Sequence, residues 1–328
     1  MSSAGVSLLY QNFCGAEWPF DSNVNLDEIP IVLQHFRARF RRDEIVLWET
    51  SLPPFMVLPC FQRLQSIHIS SDAIRGDSPP FAPNQSSPLF PFLVDLEINS
   101  MHKCPSLHWI CAVLGNTPRL ESFALWGYSR HPLTETRDDT PSLVLARLKT
   151  AKFIGSYPPQ VIACIVSASS PALLELSFTA QGSSQAIFDA LRNSPPSLSQ
   201  LKVSGYSKDD RHLVASQVRS FIAAGTRLLH LDLRYPEDPE DWDHFQYSYF
   251  QHDNLRLRSL KIWVYRELDS PPSQVLLRLA ELLSTPPPAL SSLRYLTVSA
   301  HLGVFSEAER LLLQVVCCER RITFTPPA

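Results

Sequence analysis

The same short phrase recurs nine times between residues 64 and 298: a leucine, two variable residues, an apolar residue, one variable residue and a second apolar residue. It reads Leu64/Ile67/Ile69, Leu93/Leu96/Ile98, Leu120/Phe123/Leu125, Leu148/Ala151/Phe153, Leu173/Leu176/Phe178, Leu198/Leu201/Val203, Leu228/Leu231/Leu233, Leu257/Leu260/Ile262 and Leu293/Leu296/Val298. The leading leucines lie 25 to 36 residues apart. Apolar residues two apart point to one side of an extended chain, so each phrase predicts a short strand with one buried face. A single such strand cannot bury that face by itself. Copies returning at this period must stack side by side, which favours an array over a fold wrapped round one centre.

The segments between phrases carry a different period. Leu107, Ile110, Cys111 and Leu114 recur at helical spacing, as do Val161, Ile162, Ile165 and Val166, then Ile187, Ala190 and Leu191. Leu213, Val214, Phe221 and Ile222 form a further stripe, and Val275, Leu276, Leu279, Leu282 and Leu283 another. Pro118, Pro171, Pro195-Pro196 and Pro286-Pro287-Pro288 follow these stripes, where proline stops a helix. Each unit therefore reads strand, loop, helix, turn. The period and spacing are those of leucine-rich repeats. The expected fold is an α/β leucine-rich-repeat solenoid of about nine to ten repeats. A curved parallel sheet lines its concave face, and helices and loops lie on the convex face.

Two domains are expected. Residues 51–328 form the repeat domain, and residues 1–50 an N-terminal cap made of a helix over Leu26–Arg41 and a strand at Ile45–Trp48. At the other end, Ser306-Glu307-Ala308-Glu309 has the form of a capping box. It predicts a last helix that carries Leu311, Leu312, Val315 and Val316 inward, followed by an incomplete strand with Ile322 and Phe324. Gly76 to Pro91 and Ser129 to Pro141 break the pattern and are expected to be surface loops.

Charge and chemistry-bearing motifs narrow the function. A net charge of −3 and a pI near 6.4 give no electrostatic reason to expect nucleic acid or an acidic membrane as partner. No apolar run approaches the ~20 residues that span a bilayer, and Met1–Tyr10 lacks the form of a secretory signal. Seven cysteines, mostly inside apolar patterns, suit reduced core thiols and a cytoplasmic or nuclear setting. The ten glycines form no phosphate-binding loop. Gly127-Tyr128-Ser129 lacks the second glycine of a nucleophile elbow. His102, Cys104, His108 and Cys111 are the densest metal-like group. Cys111 belongs to a buried stripe, and the spacing matches no structural zinc motif, so a packed thiol beside exposed imidazoles is expected there. Asp238-Pro239-Glu240-Asp241 reads as a helix start. No catalytic centre, cofactor or metal is expected.

What remains is the display of residues between the buried positions. Alternate strand residues must line the concave sheet. The partner-binding candidates there are His68, Glu97, Trp126, Lys152, Glu175, Lys202, His230, Asp232, Arg234, Lys261, Trp263 and Tyr295. Both charges and three aromatics on one extended surface suit a protein or peptide partner, because aromatic anchors dominate such contacts.

The irregular repeats also carry short Pro-Ser-Leu or Pro-Arg-Leu starts at Pro105-Ser106-Leu107, Pro118-Arg119-Leu120, Pro141-Ser142-Leu143 and Pro196-Ser197-Leu198, and phrases such as Leu257 to Ile262. From about Leu52 to Ala328 this resembles the leucine-rich-repeat region of fungal F-box proteins, especially those of mushroom-forming fungi. The resemblance implies a substrate-recognition role, with the repeats holding a protein that an SCF ubiquitin ligase modifies. An F-box that would dock on the SCF adaptor subunit is not recognisable here, since Leu52-Pro53 leaves ten residues before Leu64. The alternative is a stand-alone scaffold or inhibitor with no ubiquitin-ligase link.

Overall fold

The structure is a computed structural model and describes residues 44–47, 65–70, 88, 90–100, 107–128, 143–180, 184–193, 197–205, 216–218, 220–221, 227–236, 250, 256–265, 275–300 and 305–326. In the eight phrases whose side chains are described, from Leu93/Leu96/Ile98 to Leu293/Leu296/Val298, all three apolar residues are buried, none more than 5% exposed. Removing a side chain of this size from water is worth ~1.5–3 kcal/mol, so the phrases supply the main drive to fold.

The chain divides into two compact units, Met1–Val161 with Ala168–Ala172, and Ile162–Ser167 with Leu173–Ala328. Both are α/β with parallel strands. The first holds β1 (Glu44–Leu47), β2 (Ser66–Ser70), β3 (Asp95–Ser100), α1 (Leu107–Gly115), β4 (Ser122–Tyr128) and β5 (Thr150–Ser156). The helix α2 (Pro159–Ser169) is shared between the units. The second holds β6 (Glu175–Ala180), α3 (Gln185–Asn193), β7 (Gln200–Gly205), β8 (His230–Pro236), β9 (Ser259–Tyr265), α4 (Val275–Ser284), β10 (Tyr295–Ala300), α5 (Glu307–Glu319) and β11 (Thr323–Thr325).

Within each unit every strand pairs in parallel with the next in sequence, β1 to β5 and β6 to β11. The register aligns the phrases residue for residue: Leu96, Phe123 and Ala151 sit side by side, as do Leu201, Leu231, Leu260 and Leu296. One backbone device repeats with it. The carbonyl just after a leading leucine accepts two amides from the following phrase. Val94 takes those of Glu121 and Ser122, and Leu174 those of Ser199 and Gln200. Ser199, Leu229 and Arg258 continue the series in the second unit. Each phrase thus satisfies the entry of the next, as a buried backbone requires.

The helical stripes fill the space beside the strands. Ile110, Cys111 and Leu114 of α1 are buried, with Trp109 and Val113, so this helix is enclosed on most sides. Val161, Ile162, Ile165 and Val166 of α2 are buried as their spacing predicts. In the second unit Phe178 of β6 meets Phe188 of α3 edge to face at 5.9 Å, and Phe188 meets Phe221 at 6.0 Å. A matching edge-to-face contact at 5.9 Å joins Phe123 and Phe153 across β4 and β5 in the first. Such pairs add ~0.5–1.5 kcal/mol beyond burial.

Three findings refine the sequence reading. α5 opens with the expected capping box, Ser306 and Glu309 each bonding the other's backbone amide. Its phase differs from expectation: Leu313, Val316 and Cys317 face the core, whereas Leu311, Leu312 and Val315 are exposed. Apolar residues ring this helix, so spacing alone offers two inward stripes, and only Val316 of the expected set is buried. The second finding is in the β4–β5 pair, where Gly127 lies directly opposite Gly155. Gly155 has φ +117°, and a Cβ there would stand 1.6 Å from the Gly127 carbonyl oxygen, so the strands meet closely only because neither carries a side chain. The third is Ser177, an outward strand position that is 6% exposed; its short side chain lies level with Lys202 on the neighbouring strand.

The expected cap helix Leu26–Arg41, the segment Ser129–Pro141, the acidic start at Asp238 and most of Gly76–Pro91 lie outside the described residues. No helix among those described is long and apolar enough to cross a membrane.

Candidate functional site: the outward strand face

Because apolar phrase positions turn inward, the residue between them turns outward, and the register sets these in rows. Adjacent strands lie ~4.8 Å apart, so neighbours along a row are within side-chain reach. In the first unit one row runs His68, Glu97, Ala124, Lys152. A second runs Asn99, Trp126, Ile154. Trp126 is 38% exposed, beside the half-buried Ile154. Together they form an apolar spot on an otherwise polar face. Ile154 escaped the sequence reading, although Phe153-Ile154 interrupts the alternation of β5 and could have signalled it.

The second unit carries the fuller set. Its central row is Ser177, Lys202, Asp232, Lys261, Thr297. Asp232 therefore sits between two lysines on three successive strands. The Lys202 Nζ lies 3.7 Å from Asp232 Oδ2, and the two side chains are 29% and 14% exposed. Lys261 turns along its own strand, with Nζ 4.6 Å from the centre of the Trp263 ring. The ring face attracts the ammonium and holds the indole in place. Alternating charge also avoids the repulsion that like charges suffer when directly opposite.

Two flanking rows complete the surface. Glu175, Gln200, His230, Ser259 and Tyr295 form one, and Gln200 donates to Glu175 Oε1 at 3.4 Å. Tyr295, 55% exposed, offers its ring to solvent, with Thr323 of β11 next to it in the row. The other passes through Thr179, Ser204, Arg234, Trp263 and Ser299. The Thr179 and Ser204 hydroxyls are 3.3 Å apart. Of the twelve residues singled out by sequence, His68 and Arg234 are placed by backbone register, and their side chains lie outside the described residues. Eight of the twelve fall in the second unit's rows and four in the first's.

The second unit's face holds an ion pair, a cation over an indole and the exposed ring of Tyr295, while the Thr179 hydroxyl beside Ser204 is buried. His108 is exposed and Cys111 buried on α1, while His102 and Cys104 lie outside the described residues. Among the described residues no cluster of three or more His, Cys, Asp or Glu is arranged to hold a metal ion. Burial pushes the Cys317 thiol up to about 11, which keeps it protonated and unreactive at neutral pH.

No protein-family model matches this chain, and no curated protein matches it.

Proposed function

We propose that the chain is a leucine-rich-repeat protein that holds a protein or peptide partner on its outward strand face, without catalysis and without a cofactor. One observation carries this reading. Lys202, Asp232 and Lys261 stand in a single row on three strands, with Trp263 braced beneath Lys261 and Tyr295 open to solvent on the next strand. Groups already held in place lose little freedom on binding, and aromatic anchors supply most of the affinity in protein contacts. The likeness to fungal F-box repeat regions supports substrate recognition for a ubiquitin ligase as the setting, in the cytoplasm or nucleus.

Capture of partners by the tagged full chain, read by mass spectrometry, tests this against two folded variants, Trp263→Ala with Tyr295→Ala, and Lys202→Gln with Lys261→Gln. The expected result is loss of the captured proteins with an unchanged circular dichroism spectrum. Retention of every partner by both variants would refute the face. Recovery of the SCF adaptor with the partners supports the ligase setting, and its absence while other partners are recovered favours a scaffold or inhibitor.

A further inference from the structure

In the eight phrases whose side chains are described the leading leucine is buried, and the residues on either side of it mark the edge where the strands begin. In the first unit the charges at this edge are matched. Lys149, just after Leu148, bonds Glu121, just after Leu120, at 2.7 Å, and the Arg119 guanidinium lies 4.8 Å from the centre of the Phe92 ring. In the second unit the same positions hold Arg227 before Leu228, Arg256 and Arg258 around Leu257, and Arg294 after Leu293, all four exposed. Counted back from the paired Leu231 and Leu260, Arg227 and Arg256 are direct neighbours. Counted back from Leu260 and Leu296, so are Arg258 and Arg294. The Arg294 amide donates to the Arg258 carbonyl at 2.9 Å, which fixes this second pair.

Like charges directly opposite on neighbouring strands repel. Among the described residues no carboxylate pairs with any of the four guanidinium groups, and only that of Arg256 has a polar contact, donating to the Pro288 carbonyl at 3.4 Å. A guanidinium stays charged at physiological pH and presents donors in a plane that fits a carboxylate through two parallel bonds. Four of them within side-chain reach of one another form a positive patch on a chain whose net charge is −3. A long polyanion such as a nucleic acid would meet that overall negative charge, whereas a short run of carboxylates fits inside the patch. We infer that this edge of the second unit holds an acidic segment of a protein partner, with Arg258 and Arg294 clamping its Asp or Glu side chains and Arg227 and Arg256 supporting them. The exposed Tyr295 follows Arg294 and joins the edge to the outward face. A partner lying on that face reaches the arginines with its acidic segment, and that the segment belongs to a protein rests on the proposed partner-binding role.

Fluorescence anisotropy of a fluorescein-labelled oligoglutamate, titrated with the full chain at low salt, tests this. The peptide should bind, and should be released as added salt screens the patch. Arg258→Glu with Arg294→Glu, both solvent-exposed changes, should leave circular dichroism unchanged and weaken binding by at least about tenfold. Arg147→Glu with Lys149→Glu makes the same change in net charge at the corresponding positions of the first unit and should keep binding within about twofold. Absence of binding by the wild-type chain overturns the inference. Equal weakening by the two variants also overturns it, since net charge alone would then attract the peptide. Tighter binding of an oligothymidylate of equal charge overturns the acidic segment in favour of nucleic acid. Peptide binding is measured without any cellular partner, so its failure leaves the capture of proteins through Trp263 and Tyr295 standing, and failed capture leaves peptide binding standing.

Discussion

Lys202 and Cys317 show how one residue's surroundings set its work. Lys202 lies beside Asp232 at 3.7 Å, a long ion pair still partly open to water, and such a pair contributes modestly. A double-mutant cycle with Lys202→Gln and Asp232→Asn should give a coupling of about 0.5–1 kcal/mol in urea unfolding. A coupling of several kcal/mol would mean a far drier pair than its exposure indicates. Cys317 is the opposite case. Folded, its thiol keeps its proton until about pH 11, whereas the ordinary value is 9.0. Between these values the unfolded chain sheds the proton first, so ionisation favours unfolding. The contribution is intact below pH 9 and is lost as pH rises through the folded value. Wild type should therefore lose ~1–2 kcal/mol more than Cys317→Ala between pH 8.5 and 10.5, measured under reducing conditions. Equal losses in the two proteins would place the thiol in contact with water.

Among the elements, the β4–β5 pair has the least tolerance. Gly155→Ala brings a methyl against the Gly127 carbonyl and forces an alanine into φ +117°. It should destabilise the chain by more than ~3 kcal/mol or prevent soluble expression, while Gly115→Ala, with open space around it, should be neutral or slightly stabilising by thermal melting. A normal melting temperature for Gly155→Ala would show that the strands can separate there. The strands were legible in the sequence because their apolar positions keep period two and a fixed leucine start. Helix α2 was legible for the same kind of reason, an isolated stripe with no rival. Helix α5 was not, because Leu311, Leu312, Leu313, Val315, Val316 and Cys317 surround it and periodicity cannot choose between two sides. The Gly127–Gly155 contact was hidden as well, since it depends on register between strands 28 residues apart in sequence.

At the level of the molecule, the outward rows were readable residue by residue, since whatever is not inward on a strand must be outward. Their pairing was not, because Lys261 turns to Trp263 while Lys202 turns to Asp232, a difference of rotamer rather than pattern. Ser177 and Thr179 show the same limit from the other side: both occupy outward positions of β6 by alternation, yet they are only 6% and 4% exposed. The proposed function requires neighbouring strand residues to do opposite work, one holding the fold and the next meeting the partner. Equilibrium unfolding of Leu201→Asp and Lys202→Gln compares two adjacent residues of β7 directly. Leu201 is fully buried, and a carboxylate there should cost several kcal/mol, about 3 or more, or leave the chain unfolded. Lys202→Gln should shift stability by under about 1 kcal/mol and keep the native spectrum. Equal destabilisation by the two substitutions, or a tolerant Leu201, would contradict the arrangement.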